Sequence, residues 1–302
     1  MLSLLSGHWL VLTLITVFLY GIAEGLCKQF IGDITPPRFC LYSVPIAAVV
    51  YLGFYLMHDH PPPLDPEGRQ FLFFAVLASL MESTSAVLYF EALSGGPVSI
   101  VGPITAAAPV VTVVSARFIL DEILTPAQYA GIVLVIAACI GIAHAHSDPE
   151  RSGESGSGKR GTSRLWFLQS VLAMCGWGMG ATLTKYAYQL PRANEANFML
   201  YWGFAVAITL GGYGVLRERE WKFPAREIAL AAAPLVMFST GSLLLILAYK
   251  WGPASLVTTL LAGSIPIMLV YAFFIIGERL TRIQWLCITL VFIGMILCSG
   301  PE

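Results

Sequence analysis

Apolar runs of about twenty residues or more follow one another along almost the whole chain. A helix that crosses the hydrocarbon core of a bilayer needs about 20 mainly apolar residues, at a rise of about 1.5 Å per residue. The pattern therefore predicts an all-α integral membrane protein with ten transmembrane helices. The predicted helices cover residues 8–31, 35–57, 69–93, 96–120, 126–145, 164–188, 194–216, 225–249, 252–277 and 282–299.

The composition agrees with a location in the lipid bilayer. The 302 residues are 57% hydrophobic and 12% charged, whereas soluble domains have about 25% charged residues. The formal net charge of −1 argues against nucleic acid as a partner. No basic region precedes the first apolar run and no small-residue cleavage site follows it, so we expect a retained helix rather than a signal peptide.

One segment near the middle of the chain has a different composition. Residues 147–163 are rich in glycine and serine and lack large apolar side chains, which predicts a flexible linker. The linker separates two halves, residues 1–146 and 164–302, and each half has five predicted helices. This organisation indicates two repeats.

The two halves are similar in sequence. Residues 96–128 align with 252–284 at a shift of 156, with thirteen of 33 positions identical. YGIAEGLCK (20–28) aligns with WGMGATLTK (177–185) at a shift of 157. Since five helices is an odd number, the second half is expected to enter the membrane from the opposite side. Inverted repeats of this kind are typical of secondary transporters with a substrate site near the midplane.

Several motifs occur in both halves. The second half has WGxxxxxxK at 177–185, GPASLV at 252–257, and Pro266 followed by GERLT at 277–281; the first half has YGIAEGLCK, GPVSIV and DEILT. With these motifs the sequence resembles the drug/metabolite transporter superfamily, specifically the ten-helix EamA-type carriers. The resemblance implies export or exchange of small metabolites, often coupled to protons, without a cofactor. We expect a multi-pass protein of the cell membrane, such as a bacterial inner membrane, as a monomer or homodimer.

Glu82 is the candidate coupling residue because it lies near the middle of a predicted helix. An ionisable group near the bilayer centre costs at least ~2.5–3.5 kcal/mol on insertion scales, so it faces a cavity or a partner. Ser85 and Tyr89 follow at i+3 and i+7 and share its helix face. We predict that Glu82 lines the transport cavity; the alternative is a structural hydrogen bond to a neighbouring helix.

Glu24, Lys28 and Lys185 are the further charged candidates. Lys28 either extends to the headgroups or forms an intrahelical pair with Glu24 at i,i+4 beside the cavity. Lys185 either extends to the opposite headgroups or anchors a substrate carboxylate or phosphate. We expect Glu24 and Glu82 within one or two helical turns in depth, since the first and third helices run parallel. Tyr20, Tyr89, Trp177 and Trp202 either stack on a substrate or pack as ordinary membrane aromatics.

Other polar positions are predicted to be structural. Glu122 and Glu278 occupy equivalent places before a tight turn, where each is expected to cap the next helix or hold the turn. Pro103, Pro109 and Pro266 either free backbone carbonyls for a substrate or only kink their helices. His58 and His60 form an HxH motif, which indicates a surface loop rather than a metal site. The six cysteines are predicted to be buried thiols. No residue pattern indicates catalysis.

These features predict a secondary transporter that exports or exchanges a small polar metabolite, such as an amino acid, by alternating access. Protons are the candidate coupling ion, and the sequence leaves the coupling ion open. The alternatives are an exporter of cationic drugs that depends on Glu82 and Glu24, a lipid flippase, and a membrane protein that binds without transport. Orientation stays open. Lysines and arginines cluster in the linker and in 217–226 and 279–282, which predicts that the linker is cytoplasmic and that both termini lie outside. The resemblance instead implies that both termini are cytoplasmic.

Overall fold

A computed structural model describes residues 9–29, 34–62, 66–96, 98–145, 165–219 and 223–299. The predicted linker 147–163 lies outside these ranges, as do the outermost residues of several predicted helices. Within them the regular structure is helical throughout. The α-helices are α1 (Trp9–Gln29), α2 (Pro36–Met57), α3 (Arg69–Gly95), α4 (Val98–Ala106), α5 (Ala108–Ile119), α6 (Pro126–Ala145), α7 (Leu165–Gln189), α8 (Glu195–Val206), α9 (Gly212–Arg217), α10 (Ala225–Trp251), α11 (Ala254–Leu261), α12 (Ser264–Tyr271) and α13 (Arg282–Cys298).

Seven helical segments in the described ranges are long and apolar enough to cross a membrane. Each of the other three predicted segments, α6, α7 and α13, is also a helix. The apolar stretches of α6 and α13 are shorter, and α7 includes Gln169, Ser170 and Lys185 among its 25 residues. Length and hydropathy thus confirm seven spans, and the count of ten stays a prediction. The seven are Trp9–Gln29, Pro36–Met57, Pro66–Gly95, Ile100–Ile119, Glu195–Arg217, Ala225–Trp251 and Ala254–Ile276.

The predicted helices 96–120 and 252–277 are each broken in two. Helix α5 starts after Ala107 and has a proline in its first turn, Pro109; α12 starts after Gly263 and has Pro266 in its first turn. Proline has no backbone N–H and is tolerated at a helix start but not in a helix interior. Ala107 and Gly263 are related by the repeat shift, so the two halves break at the same place.

Equivalent residues of the two halves make equivalent contacts. The contact of α3 with α7 is equivalent to the contact of α10 with α1. The contact of α5 with α7 is likewise equivalent to the contact of α12 with α1. A Cβ atom on Gly21 would meet Ile267 and the carbonyl of Ser264; one on Gly178 would meet Val111 and the carbonyl of Ala108. These residues are related by the same shifts that align the sequences. The two repeats therefore pack on each other in the same way.

The outer surface of the bundle is apolar. Val49 is 76% exposed and Phe118 is 81% exposed, and many other large apolar side chains face outward. An apolar surface of this extent is unfavourable in water but suits contact with lipid. The backbone polar groups are paired inside helices, as the hydrocarbon region requires.

Helices α6 and α13 cross at two glycines. A Cβ atom on Gly131 would lie 2.7 Å from the carbonyl oxygen of Gly294, and one on Gly294 would lie 2.8 Å from that of Gly131. Gly131→Ala is therefore expected to separate the helices and to lower the unfolding free energy by about 1–3 kcal/mol, measured as a fall in melting temperature. Gly53→Ala is the control, because nothing lies within 4 Å of that Cβ position. Equal melting temperatures for both variants would contradict this contact.

Candidate functional site

Glu82 is the middle residue of α3, and its side chain lies against α7. A Cβ atom on Gly180 would lie 2.7 Å from Cγ and 3.0 Å from Oε1 of Glu82, so the absence of a side chain at Gly180 makes room for the carboxyl group. In the part of the chain that the structure describes, no hydrogen bond or ion pair reaches this carboxyl. An unpaired carboxyl group thus lies at mid-depth, partly exposed.

Tyr20 of α1 is near both carboxyl groups, Glu24 and Glu82. Its hydroxyl shares a hydrogen bond of 2.7 Å with Oγ of Ser242 in α10, and its ring packs edge-on against Phe238 with centroids 5.4 Å apart. Glu24 and Glu82 both lie close enough to the Tyr20 hydroxyl to interact with it electrostatically. The structure therefore brings Tyr20, Glu24 and Glu82 to one centre between α1, α3 and α10.

Glu24 lies five residues before the end of α1. The side chain of Ser264, at the start of α12, is close enough to interact with its carboxyl group. Tyr89 of α3 interacts electrostatically with the same carboxyl. The break between α11 and α12 thus places a hydroxyl beside Glu24.

Tyr51 of α2 extends the polar cluster and was not singled out from the sequence. Its hydroxyl lies near the polar groups of Ser239 and Ser242 in α10 and of Trp202 in α8. A tyrosine hydroxyl deep in an apolar helix needs a polar partner. This requirement is the sequence signal that would have identified it.

Tyr249 of α10 also lies near Glu82 and was missed in the sequence. Its hydroxyl shares a hydrogen bond of 3.0 Å with Oγ1 of Thr258, and it interacts electrostatically with Glu82 and Tyr20. Tyr249 is near the end of α10 in the sequence, where an aromatic residue looks like an ordinary interfacial side chain. Only the packing of α10 against α1, α2 and α7 brings it to the site.

Tyr89, Trp177 and Ser85 lie on the contact between α3 and α7. The rings of Tyr89 and Trp177 have centroids 5.4 Å apart. The Ser85 hydroxyl donates to the carbonyl of Met81 at 2.7 Å within its own helix and faces Gly176. Both rings are partly exposed, and Tyr89 interacts with Glu24, whereas Ser85 is buried in the helix contact.

The two lysines do not lie with the carboxyl groups. Lys28 forms an ion pair with Oε2 of Glu278 at 2.6 Å, so the intrahelical pair with Glu24 considered above is not the one in the structure. The turn after α12 places the Glu278 carboxylate at the end of α1, where it is the closer partner. Lys185 donates to the backbone carbonyl of Lys250 at 3.1 Å, at the other end of the bundle.

Glu122 caps a helix of the other half instead of the next helix in sequence, which corrects the expectation above. Its carboxylate accepts from the backbone N–H groups of Ala254 at 2.6 Å and Ser255 at 3.1 Å, at the start of α11. The next helix, α6, is capped by an exchange of hydrogen bonds between Thr125 and Gln128. Glu122 therefore ties the two repeats together.

The two ends of the site differ in packing. Towards the α10–α11 end (residues 250–255), apolar residues close over the site, including Leu12, Leu245 and Val257. Towards the α3–α4 end (residues 94–96), three of the equivalent positions are more exposed, whereas Val101, the equivalent of Val257, is buried as well. Ala181, Leu245 and Tyr249 are 1%, 8% and 3% exposed, whereas their equivalents Glu24, Tyr89 and Leu93 are partly exposed.

No group of three or more metal-ligating side chains occurs among the described residues. The rings of His58 and His60 stack on Phe54 and Tyr55, with centroids 4.0 and 3.8 Å apart. The polar centre thus consists of carboxyl groups, hydroxyl groups and aromatic rings.

A bundle of apolar helices around deep carboxyl groups defines a multi-pass integral membrane protein. The model of the EamA-like transporter family matches residues 7–143 and 164–300, one match for each repeat. The chain belongs to the EamA-like transporter family, and it is a membrane transporter of the drug/metabolite transporter superfamily. Proteins of this family are transporters and generally not enzymes.

Two further comparisons bear on the fold and the substrate. A comparison with curated proteins found no match to the sequence. A solved crystal structure is similar with a TM-score of 0.73 and 14% sequence identity, over 96% of this chain and 95% of the other. At this identity the likeness concerns the fold alone.

Proposed function

We propose that the protein is a secondary active transporter that exchanges a small organic amine for protons by alternating access. The observation that carries the proposal is the central pair of carboxyl groups, Glu24 and Glu82, around Tyr20 with no lysine or arginine beside them among the described contacts. Buried charges are stable when paired. A protonated amine and a proton are the partners that this centre lacks.

The packing supports ten crossing segments in two inverted halves. Helix α7 runs antiparallel to α3 along its length: Trp166 packs on Gly96, Gly180 on Glu82, and Tyr186 on Phe74. Since α3 is one of the seven apolar spans, α7 traverses the same depth despite its polar residues. The α1–α10 pair has the equivalent arrangement, with Trp9 packed on Gly252.

An amine fits the site better than an anion. The sequence left open whether Lys185 anchors a carboxylate or phosphate. In the structure the Lys250 carbonyl engages Lys185 and Glu278 engages Lys28, at the two bundle ends. The partly exposed rings of Tyr89 and Trp177 lie near Glu24 and suit a cation. Amino acids and other amine-bearing metabolites satisfy this chemistry, and lipophilic cationic drugs are the second candidate class.

Exchange for protons follows from competition at Glu82. A carboxyl group holds either a proton or an ion-paired ammonium group, so binding of one displaces the other. Binding of the amine and of the proton is therefore linked reciprocally. A proton gradient then drives the amine in the opposite direction.

The melting temperature of the purified protein is expected to rise with amines and to stay unchanged with organic acids and sugars. A ligand at about 100 times its Kd adds about 2.7 kcal/mol to stability. The matched control for each active compound is its analogue without the amino group. A rise only with anions would contradict the proposal, and a rise only with lipophilic cations would select the drug class. Flux of active amines into liposomes under a pH gradient distinguishes transport from binding alone, and fluorescent lipids test for flippase activity.

A further inference from the structure

Two charged side chains hold the junction between α10 and α11 at the closed end of the site. Lys185 donates to the carbonyl of Lys250, near the end of α10. Glu122 accepts from the N–H groups of Ala254 and Ser255 and from the Ser255 hydroxyl, the last at 2.7 Å. The last carbonyls and first N–H groups of a helix have no partner within it. Each charge has the sign that its helix end favours.

The equivalent residues at the other end make a different contact. Lys28 and Glu278 correspond to Lys185 and Glu122 through the repeat shifts, and Ser94 corresponds to Lys250. Here the lysine and the glutamate bond each other at 2.6 Å, and their side chains are 27% and 35% exposed. The same pair thus appears in two arrangements, separated on the helix ends at one side and joined at the other.

We infer that these two pairs are alternating clamps that seal one end of the site while the other is open. When the carrier reverses, Lys185 and Glu122 leave the α10–α11 junction and pair with each other. Lys28 then donates to the carbonyl of Ser94, and Glu278 accepts from N–H groups at the start of α4. This inference rests on the proposed alternating access by inverted halves.

The physical reason is the different access of water to the two ends. At a closed end, water is excluded and the helix termini need protein partners, because an unsatisfied backbone group there is costly. At an open end, water satisfies the helix termini, so the charged side chains pair with each other. In both states the helix termini and the charged side chains therefore have hydrogen-bonding partners. The two states can then have similar free energies, as reversible interconversion requires.

Hydrogen–deuterium exchange of the protein without substrate tests the clamps. In the wild type, segment 250–257 is expected to exchange more slowly than segment 94–102. In the present arrangement, Glu122→Gln removes the negative charge that accepts three hydrogen bonds. In the reversed arrangement it removes only a partly exposed ion pair with Lys185. A partly exposed ion pair stabilises less than hydrogen bonds to a charged acceptor, so the variant destabilises the present arrangement more. Exchange in 250–257 should rise by roughly fivefold or more, and exchange in 94–102 should fall.

Glu278→Gln is the mirror variant. It weakens the ion pair of the present arrangement and removes the clamp of the reversed one, so the fast exchange of 94–102 should persist and 250–257 should remain protected. A change confined to 250–257 in Glu122→Gln, with 94–102 unaffected, would show a local helix cap and overturn the inference.

Charge exchange within one pair provides a second test. The double variant Lys185→Glu with Glu122→Lys keeps an attractive pair but presents the wrong sign to both helix ends. Faster exchange in 250–257 and slower exchange in 94–102 are expected. Exchange rates equal to those of the wild type in both segments would show that the sign of the charges at the helix ends has no effect, and would contradict the inference. Neither experiment uses an amine or a pH gradient, so failure of the amine proposal and failure of the clamps are distinguishable.

Discussion

Glu82→Gln is expected to reduce uptake driven by a pH gradient to the level of empty liposomes while the protein stays folded. Glutamine keeps the shape of the side chain beside Gly180 but neither binds nor releases a proton. An uncharged group at mid-depth is also less costly in the membrane than a carboxylate. The melting temperature should therefore be equal to or above that of the wild type.

Uptake into proteoliposomes with an imposed pH gradient measures this prediction. Glu67→Gln is the matched control, since that carboxylate is 70% exposed and pairs with Arg192 outside the site. Its uptake should equal that of the wild type. Unchanged pH-driven uptake in Glu82→Gln would remove Glu82 from the coupling mechanism.

Glu24→Gln is expected to weaken amine binding by at least about tenfold, which corresponds to about 1.4 kcal/mol. The change removes the negative charge next to Tyr89 and Ser264 but leaves Glu82 to bind the proton. Calorimetric titration with an active amine measures the Kd. Ser264→Ala removes only a neutral partner of Glu24 and should have a smaller effect, about 1 kcal/mol or less.

A lysine variant provides the control for the charge of the ligand. Lys185→Gln should leave amine affinity unchanged, because its contact is the Lys250 carbonyl at the end of the bundle. Retained amine affinity in Glu24→Gln would contradict the proposed ammonium site. Loss of affinity for an anionic ligand in Lys185→Gln would instead support the anion anchor, one of the two roles that the sequence left open for Lys185.

Hydropathy alone located the helices well. The predicted helix 69–93 corresponds to Arg69–Gly95, and 35–57 corresponds to Pro36–Met57. Apolar runs between polar turns determine where a chain crosses lipid, whatever the neighbouring helices are. Hydropathy was weaker at α7, where Gln169, Ser170 and Lys185 lower the apolarity of a helix that the packing places along α3.

The sequence also showed how deep each charged residue lies in its helix, that the two halves are repeats, and which motifs occur in both halves. They selected Glu82 and Glu24, and the structure places both beside Tyr20. Position along a helix measures distance from the membrane surface, so a mid-helix carboxyl group is recognisable in one sequence. It does not say which neighbour the side chain meets.

The partners were decided only by the tertiary structure. Lys28 had Glu24 in its own helix within reach, yet it pairs with Glu278, 250 residues away. Glu122 caps α11 instead of α6, and Tyr249 reaches the site because α10 packs between α1 and α2. Long side chains near helix ends have several possible partners of similar energy, and the choice depends on how helices distant in the sequence pack together.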